Sequence, residues 1–168
     1  MSLHSLHSAQ ETRRLGEILA SCLYPGLLVC LDGDLGAGKS TLAQGFGEAL
    51  GIPRMASPSF VLLREYPTRP PLVHGDLYRL SREEALDLHL EEYLAEGWVV
   101  LLEWACRLDR VPFPDRWEMS LHAPFLEGEA PEELRLLRAG GVSERSRSVL
   151  EAALDRFARE QTKRRTRP

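Results

Sequence analysis

The chain has 168 residues, of which 43% are hydrophobic and 27% are charged, and its formal net charge is −4 at pH 7. This composition predicts one soluble globular domain, and the acidic balance argues against a general nucleic-acid-binding protein. With no membrane-length apolar run, no signal-peptide pattern and no metal-ligand spacing among its three cysteines, the chain is expected to be cytoplasmic, without membrane association.

The first third of the chain predicts a helix, a strand and a second helix in succession. Ser8 and Glu11 have the spacing of a capping box, so the first helix is expected to begin after Ser8. The apolar run at residues 27–31 follows a Pro-Gly turn and predicts a buried strand. Residues 33–41 come next and read Gly-Asp-Leu-Gly-Ala-Gly-Lys-Ser-Thr, which fits the P-loop pattern G-x-x-x-x-G-K-[ST]. Apolar residues at helical spacing then lead to a stop signal at Gly51.

The P-loop motif predicts a nucleotide-binding site, because its glycines let the backbone curl around phosphates and the following helix presents N–H groups to them. The Lys39 ammonium is expected to reach the β- and γ-phosphates, and the Ser40 hydroxyl to hold Mg²⁺. Lys39 is one of two lysines against nineteen arginines, which indicates that a slim ammonium is required there. The Asp34 side chain is expected to point to solvent. The expected nucleotide-binding residues are Asp34, Leu35, Gly36, Ala37, Gly38, Lys39, Ser40 and Thr41.

The middle of the chain predicts further sheet and helix. Residues 55–66 and 72–80 are extended runs that are expected to pair as a hairpin, with a turn at Ser57-Pro58-Ser59. Ser81 and Glu84 form a second capping box, which opens a short helix.

The last third completes the predicted fold with strand-like runs at 98–102, 117–122 and 134–139 and a final helix over 143–159. We therefore predict a single-domain α/β P-loop NTPase over residues 1–160. Its central sheet, mostly parallel or mixed, would be flanked by helices and would include antiparallel hairpins. The basic segment 161–168 is expected to be a disordered tail.

Glu103 is the expected partner of Ser40 in holding the metal. It ends the apolar run 98–102, at the edge where open α/β sheets gather their ligands. Mg²⁺ takes few protein ligands and prefers carboxylate oxygen, so a hydroxyl and one carboxylate are sufficient.

Asp76 is the second acidic candidate. Strand alternation places His74, Asp76 and Tyr78 on one face. That face either points at the γ-phosphate and its attacking water or forms a structural hydrogen-bond network, and the pattern favours neither. Lys39, Asp76 and Glu103 are the expected catalytic residues, and the role of Trp104 is left open.

The nucleotide is expected to be ATP. Many P-loop GTPases read guanine with an Asn/Thr-Lys-x-Asp motif, and neither Lys39 nor Lys163 stands in such a motif.

Four motifs in order resemble the bacterial TsaE family, also called YjeE: residues 33–41, Ser-Pro-Ser-Phe at 57–60, His-Gly-Asp-Leu-Tyr-Arg-Leu at 74–80 and Leu-Glu-Trp at 102–104. The resemblance implies an ATPase of tRNA threonylcarbamoyladenosine biosynthesis. It also implies two partner proteins, TsaB and TsaD, which transfer threonylcarbamoyl to an adenosine beside the tRNA anticodon, so that tRNA is reached through the complex. The family's nucleotide residues map onto 36–41, its magnesium ligands onto Ser40 and Glu103, and its functionally important aspartate onto Asp76.

Two other functions remain open at this point. One is a small-molecule P-loop kinase, and the other is a nucleotide-gated assembly module with negligible turnover of its own. The chain shows no evident arginine finger, although Arg79 and Arg107 lie near motif ends. A P-loop enzyme without such a finger is expected to turn over slowly until a partner completes the site.

Overall fold

The computed structural model describes residues 1–55, 62–108, 111–128 and 130–165. Within these ranges the strands are β1 (Ser2–Leu6), β2 (Leu28–Gly33), β3 (Leu63–Tyr66), β4 (Leu72–Asp76), β5 (Val99–Glu103), β6 (Arg116–His122) and β7 (Arg135–Gly141). The α-helices there are α1 (Ala9–Ala20), α2 (Lys39–Ala49), α3 (Arg82–Leu86), α4 (Leu90–Ala95) and α5 (Glu144–Arg165). Short 3₁₀ helices follow β5 (Ala105–Leu108) and β6 (Pro124–Glu127).

The strands form one mixed sheet in the order β1-β7-β6-β2-β5-β4-β3. The four central strands β6, β2, β5 and β4 are parallel, whereas the outer pairs β1–β7, β6–β7 and β3–β4 are antiparallel. The predicted α/β class and the mixed sheet with antiparallel hairpins are confirmed. Because the central strands are parallel, their carboxyl ends meet along one edge, which is where ligands bind in open α/β sheets.

Helices cover both faces of the sheet. Alternate residues of β2 face opposite ways, so that Val29 and Leu31 join the core under α1, α2 and α5, while Leu28 and Cys30 join the core under α3 and α4. Helices α1 and α2 touch closely at Gly45, where a Cβ atom would lie 2.1 Å from the Arg13 carbonyl oxygen. This close approach packs the middle of α2 directly against the backbone of α1.

Several local predictions agree with the structure. The Ser8 side chain caps α1 by accepting from the Glu11 N–H, but the Glu11 carboxylate accepts from the His7 N–H, so only half of the expected capping box forms. Ser81 and Glu84 form the complete capping box of α3, and β3 and β4 pair as the expected hairpin. The expected turn at 57–59 and the Ser-Pro-Ser-Phe motif lie outside the described residues.

The structure differs from the predicted elements at both ends of the chain. Residues 2–6 were not predicted as a strand, yet they form β1. This strand pairs with β7, which lies near the other end of the sequence. The last helix was expected to end at residue 159, but α5 continues to Arg165, because Gln, Lys and Arg favour helix and no glycine or proline interrupts it. Residues 161–165, expected to be disordered, are therefore helical, and residues 166–168 are not described.

Among the residues that the structure describes, no helix combines the length and the apolar composition needed to cross a bilayer.

Candidate nucleotide-binding site

The P-loop joins the carboxyl end of β2 to the amino end of α2, as its sequence requires. Gly33 has φ of +132°, and a Cβ atom there would lie 2.0 Å from the Leu121 carbonyl oxygen, so only glycine allows this close approach to β6. Gly38 caps α2 in a left-handed conformation, with φ of 102° and no side-chain capping bond. The first N–H groups of α2 therefore remain available to an anion at the loop.

Lys39 lies at the mouth of this loop and is only 5% exposed. Its ammonium donates to the carbonyl oxygens of Gly33 and Asp34 at 2.6 and 2.8 Å, and it lies 3.9 Å from the centre of the Trp104 ring. Burial lowers the pKa of Lys39, and the nearby carboxylates of Glu103 and Asp76 counteract part of that shift. A cation is thus held in a partly desolvated position where its attraction to phosphate is strong.

Glu103 and Ser40 meet at the same edge. The Ser40 hydroxyl donates to Glu103 Oε2 at 3.3 Å, and His74 Nε2 lies 3.0 Å from Glu103 Oε1. Glu103 is 2% exposed and His74 is 1% exposed. Both oxygens of a buried carboxylate are therefore bonded, one from α2 and one from β4, which fixes its orientation.

The donor set suits Mg²⁺ rather than a softer metal, because a hydroxyl and a carboxylate are hard oxygen ligands. Within the described ranges, no group of three or more His, Cys, Asp or Glu side chains is placed to hold a metal by protein ligands alone. Such a group is not required for an ion that binds with nucleotide phosphates and water. Ser40 and Glu103 thus lie together as predicted, and their metal role stays a prediction.

Asp76 lies directly beside Glu103 on the neighbouring strand, since the two residues are register partners in β4 and β5. Its Oδ1 accepts from the Tyr78 N–H at 3.0 Å, so it also stabilises the turn after β4. The Tyr78 ring packs against Trp104 in a tilted arrangement, with centroids 4.8 Å apart. Asp76 therefore makes a structural bond and lies at the edge of the site, and its role toward the γ-phosphate stays a prediction.

Trp104 has a defined place that the sequence left open. It follows β5 with φ of 60°, a left-handed conformation that costs a non-glycine residue about 1–3 kcal/mol. Its N–H still donates to the Leu31 carbonyl at 2.9 Å. The unusual turn directs the indole over the Lys39 ammonium instead of continuing the strand.

Two residues near the P-loop were missed by sequence reasoning. Arg135 Nε, at the start of β7, donates to the Ala37 carbonyl at 3.0 Å, and its guanidinium lies 4.8 Å from the centre of the Phe125 ring. His122 Nδ1 lies 3.2 Å from Asp34 Oδ2, so Asp34, although its side chain is 58% exposed as expected, has a partner. No local pattern could indicate either contact, because each joins residues far apart in the chain.

Comparison with known proteins identifies the family to which the chain belongs. The family model described as "Threonylcarbamoyl adenosine biosynthesis protein TsaE" matches residues 6–127. A Bacillus subtilis (strain 168) protein named tRNA threonylcarbamoyladenosine biosynthesis protein TsaE is 44% identical over 98 residues, which are 57% of this chain and 61% of that protein. Proteins of the same name match from Nostoc sp. (44% over 114 residues, 64% of this chain and 70% of theirs) and Streptomyces coelicolor (40% over 139 residues, 79% and 92%).

The structure also resembles the crystal structure of YdiB from Bacillus subtilis, with a TM-score of 0.73, 28% sequence identity and coverage of 95% of both chains. The matched part of the chain spans 61% of the Bacillus TsaE relative, and it includes the P-loop, His74, Asp76 and Glu103 within the family model's range. The motifs, the fold and the comparisons agree, and the chain belongs to the TsaE family.

Proposed function

We propose that this protein is a Mg²⁺-dependent ATPase that supports threonylcarbamoyl transfer to the adenosine beside the tRNA anticodon, together with TsaB and TsaD. The observation that carries the proposal is the convergence of Lys39, Ser40 and Glu103 at a P-loop in a TsaE-family chain. The names of its relatives, which refer to tRNA threonylcarbamoyladenosine biosynthesis, support the pathway.

The site residues divide the work of phosphoryl transfer. The N–H groups of the loop and of α2 would bind the phosphates, and Lys39 would leave its carbonyl partners to contact the β- and γ-oxygens. Ser40 and Glu103 would hold Mg²⁺, which neutralises phosphate charge when it is bound. Asp76, beside Glu103, is the candidate for orienting the attacking water.

Turnover by the isolated chain is proposed to be slow. The arginine at the P-loop, Arg135, uses Nε on Ala37 and Nη1 on the carbonyls of Glu132 and Leu134. In this arrangement it braces the P-loop through backbone carbonyl oxygens. An arginine finger supplied by a partner accelerates other P-loop enzymes by about 10³–10⁵-fold.

We also propose a cytoplasmic location and tRNA contact through the complex with TsaB and TsaD. The cysteines Cys22, Cys30 and Cys106 are all free thiols, which is typical of a reducing compartment.

The deciding experiment is steady-state phosphate release from ATP, measured for the chain alone, with TsaB, with TsaD and with both. We expect weak release by the chain alone and a marked change with both partners. Substituting GTP provides a control, and it is expected to be used less well.

The other outcomes separate the competing functions. High basal release that neither partner changes contradicts partner dependence. ATP consumption only in the presence of a small-molecule acceptor supports a kinase. Tight ATP binding that promotes assembly with TsaB and TsaD, with no release under any condition, supports an assembly module.

A further inference from the structure

We infer that His74 is a positioning residue that holds Glu103 in the orientation needed to bind Mg²⁺. The inference deepens the proposed function and rests on it, because it assigns the metal role to Glu103. His74 is buried on β4 and its Nε2 contacts the Glu103 carboxylate, so we place its influence on the metal in the orientation of that carboxylate.

His74 lies two residues before Asp76 on β4, and therefore one step further from the carboxyl edge of the sheet than Glu103. Register pairs His74 with Leu101 and Asp76 with Glu103, so all four side chains share the sheet face that carries α2. From there, His74 Nε2 reaches diagonally to Glu103 Oε1 at 3.0 Å. His74 therefore contacts Oε1 of the carboxylate, and Oε2 remains turned toward Ser40 and the P-loop.

The hydrogen-bonding capacities of the two groups set the direction of this bond. A carboxylate only accepts, so the imidazole donates from Nε2. The other nitrogen, Nδ1, is buried and has no hydrogen-bond partner among the described residues. An unpaired buried nitrogen costs stability, and an apolar side chain would fill the same space without that cost. Core packing alone therefore does not explain a histidine at this position.

The Ser40 bond cannot replace this function. Ser40 is exposed, and its hydroxyl oxygen is the group expected to meet the cation, so its position depends on what is bound. His74 is held by β4, so the position of its ring is set by the sheet and not by a ligand at the site. Hydrogen-bonded partners of metal ligands, when removed, commonly lower metal affinity about 10–100-fold.

The test compares His74→Leu, which removes the donor, with His74→Gln, whose amide nitrogen reaches close to the position of Nε2. Binding of the non-hydrolysable analogue AMPPNP is titrated with Mg²⁺, and free Mn²⁺ is counted by electron paramagnetic resonance in a parallel series. We expect His74→Leu to raise the half-saturating Mg²⁺ concentration about 10–100-fold. AMPPNP affinity in EDTA should change less than about twofold, and His74→Gln should restore the Mg²⁺ dependence.

An unchanged Mg²⁺ dependence in His74→Leu, even with a lower melting temperature, overturns the inference, and so does a His74→Gln protein that behaves like His74→Leu. If His74→Leu does not fold, His74→Asn replaces it, since its shorter amide cannot reach Glu103. Nitrogen NMR of the unmodified protein gives an independent answer: a ring without a proton on Nε2 excludes the donor role. Failure of the unmodified protein to bind AMPPNP contradicts the proposed function instead.

Discussion

Two polar clusters lie at opposite ends of β2, and they differ in how completely they are bonded. At the amino end, the Tyr24 hydroxyl donates to Asp115 Oδ1 at 2.8 Å and the Ser143 hydroxyl donates to the same oxygen at 2.6 Å. Trp117 Nε1 donates to the Ser146 carbonyl at 2.9 Å. This amino-end cluster ties the start of α5 to the starts of β2 and β6, and each of its side chains is bonded within the protein.

In the carboxyl-end cluster, Lys39, His74 and Glu103 are buried and Trp104 is half-buried, but the hydrogen bonding is incomplete among the described residues. Trp104 has a left-handed backbone, His74 Nδ1 lacks a hydrogen-bond partner among the described residues, and the Lys39 ammonium donates to two carbonyl oxygens of the P-loop. Of the two clusters, the carboxyl-end cluster is the one in which a left-handed non-glycine backbone and a buried polar atom without a partner among the described residues occur together.

The comparison predicts its largest effect at Lys39. Lys39→Ala should weaken ATP binding by about 2–5 kcal/mol, the usual cost of removing one partner from a buried charged pair. Isothermal titration calorimetry measures this change, and thermal unfolding should stay close to that of the unmodified protein. Lys163→Ala, the same substitution at the exposed second lysine on α5, is the control. Normal ATP binding by Lys39→Ala would contradict the P-loop assignment.

Glu103→Gln should separate turnover from binding. The amide preserves the shape of the side chain, but it keeps one accepting oxygen instead of two and removes the charge that places Mg²⁺. Phosphate release should therefore fall roughly 100-fold, as expected when several kcal/mol of metal stabilisation is lost. ATP binding without Mg²⁺ should be retained. The matched control is Glu118→Gln on β6, whose carboxylate accepts from Arg116 at 2.8 Å. Full turnover by Glu103→Gln would transfer the metal role to Asp76.

At the amino-end cluster, the same kind of change should affect stability and leave the site unaffected. Asp115→Ala leaves Tyr24 and Ser143 without their shared acceptor, and we expect a loss of about 1–3 kcal/mol in the free energy of unfolding. Burial and the Asp115 bond raise the pKa of Tyr24, so its hydroxyl remains a donor in need of a partner. Urea unfolding measures the loss, and Asp115→Asn should recover part of it. A changed ATP affinity with unchanged stability would remove the distinction between the clusters.

The parts of the molecule that sequence predicted are those fixed by neighbours in the chain. The P-loop, the Ser81 capping box and the β3–β4 hairpin are each decided within a few consecutive residues, and each was predicted correctly. Ser40 and Glu103 were paired because the P-loop follows β2 and Glu103 ends β5, and the carboxyl ends of parallel strands meet at one edge of the sheet.

The parts that were missed depend on contacts between distant segments. Strand β1 buries only Leu6 fully, so residues 2–6 lack the apolar alternation of a core strand and are held by pairing with β7. Arg135 meets the P-loop only because β7 and β2 occupy the same sheet. The left-handed turn at Trp104 is energetically unfavourable locally, and no propensity would predict it.

The smallest expected effect lies outside both clusters, at the ion pair between α1 and α5. Arg14 Nε and Nη2 donate to Glu160 Oε2 and Oε1 at 3.0 and 3.1 Å, and this guanidinium lowers the pKa of Glu160. A carboxylate with a lowered folded-state pKa stabilises the fold above its unfolded-state pKa, and that stability is lost as the pH falls through the folded-state value. Because both side chains are partly exposed, Glu160→Gln should cost only about 0.5 kcal/mol at pH 7. Urea unfolding at pH 7 and in acid should show this difference vanish in acid, where both proteins carry a neutral group. A difference that persists in acid would mean that packing between α1 and α5, and not the ion pair, carries the contribution.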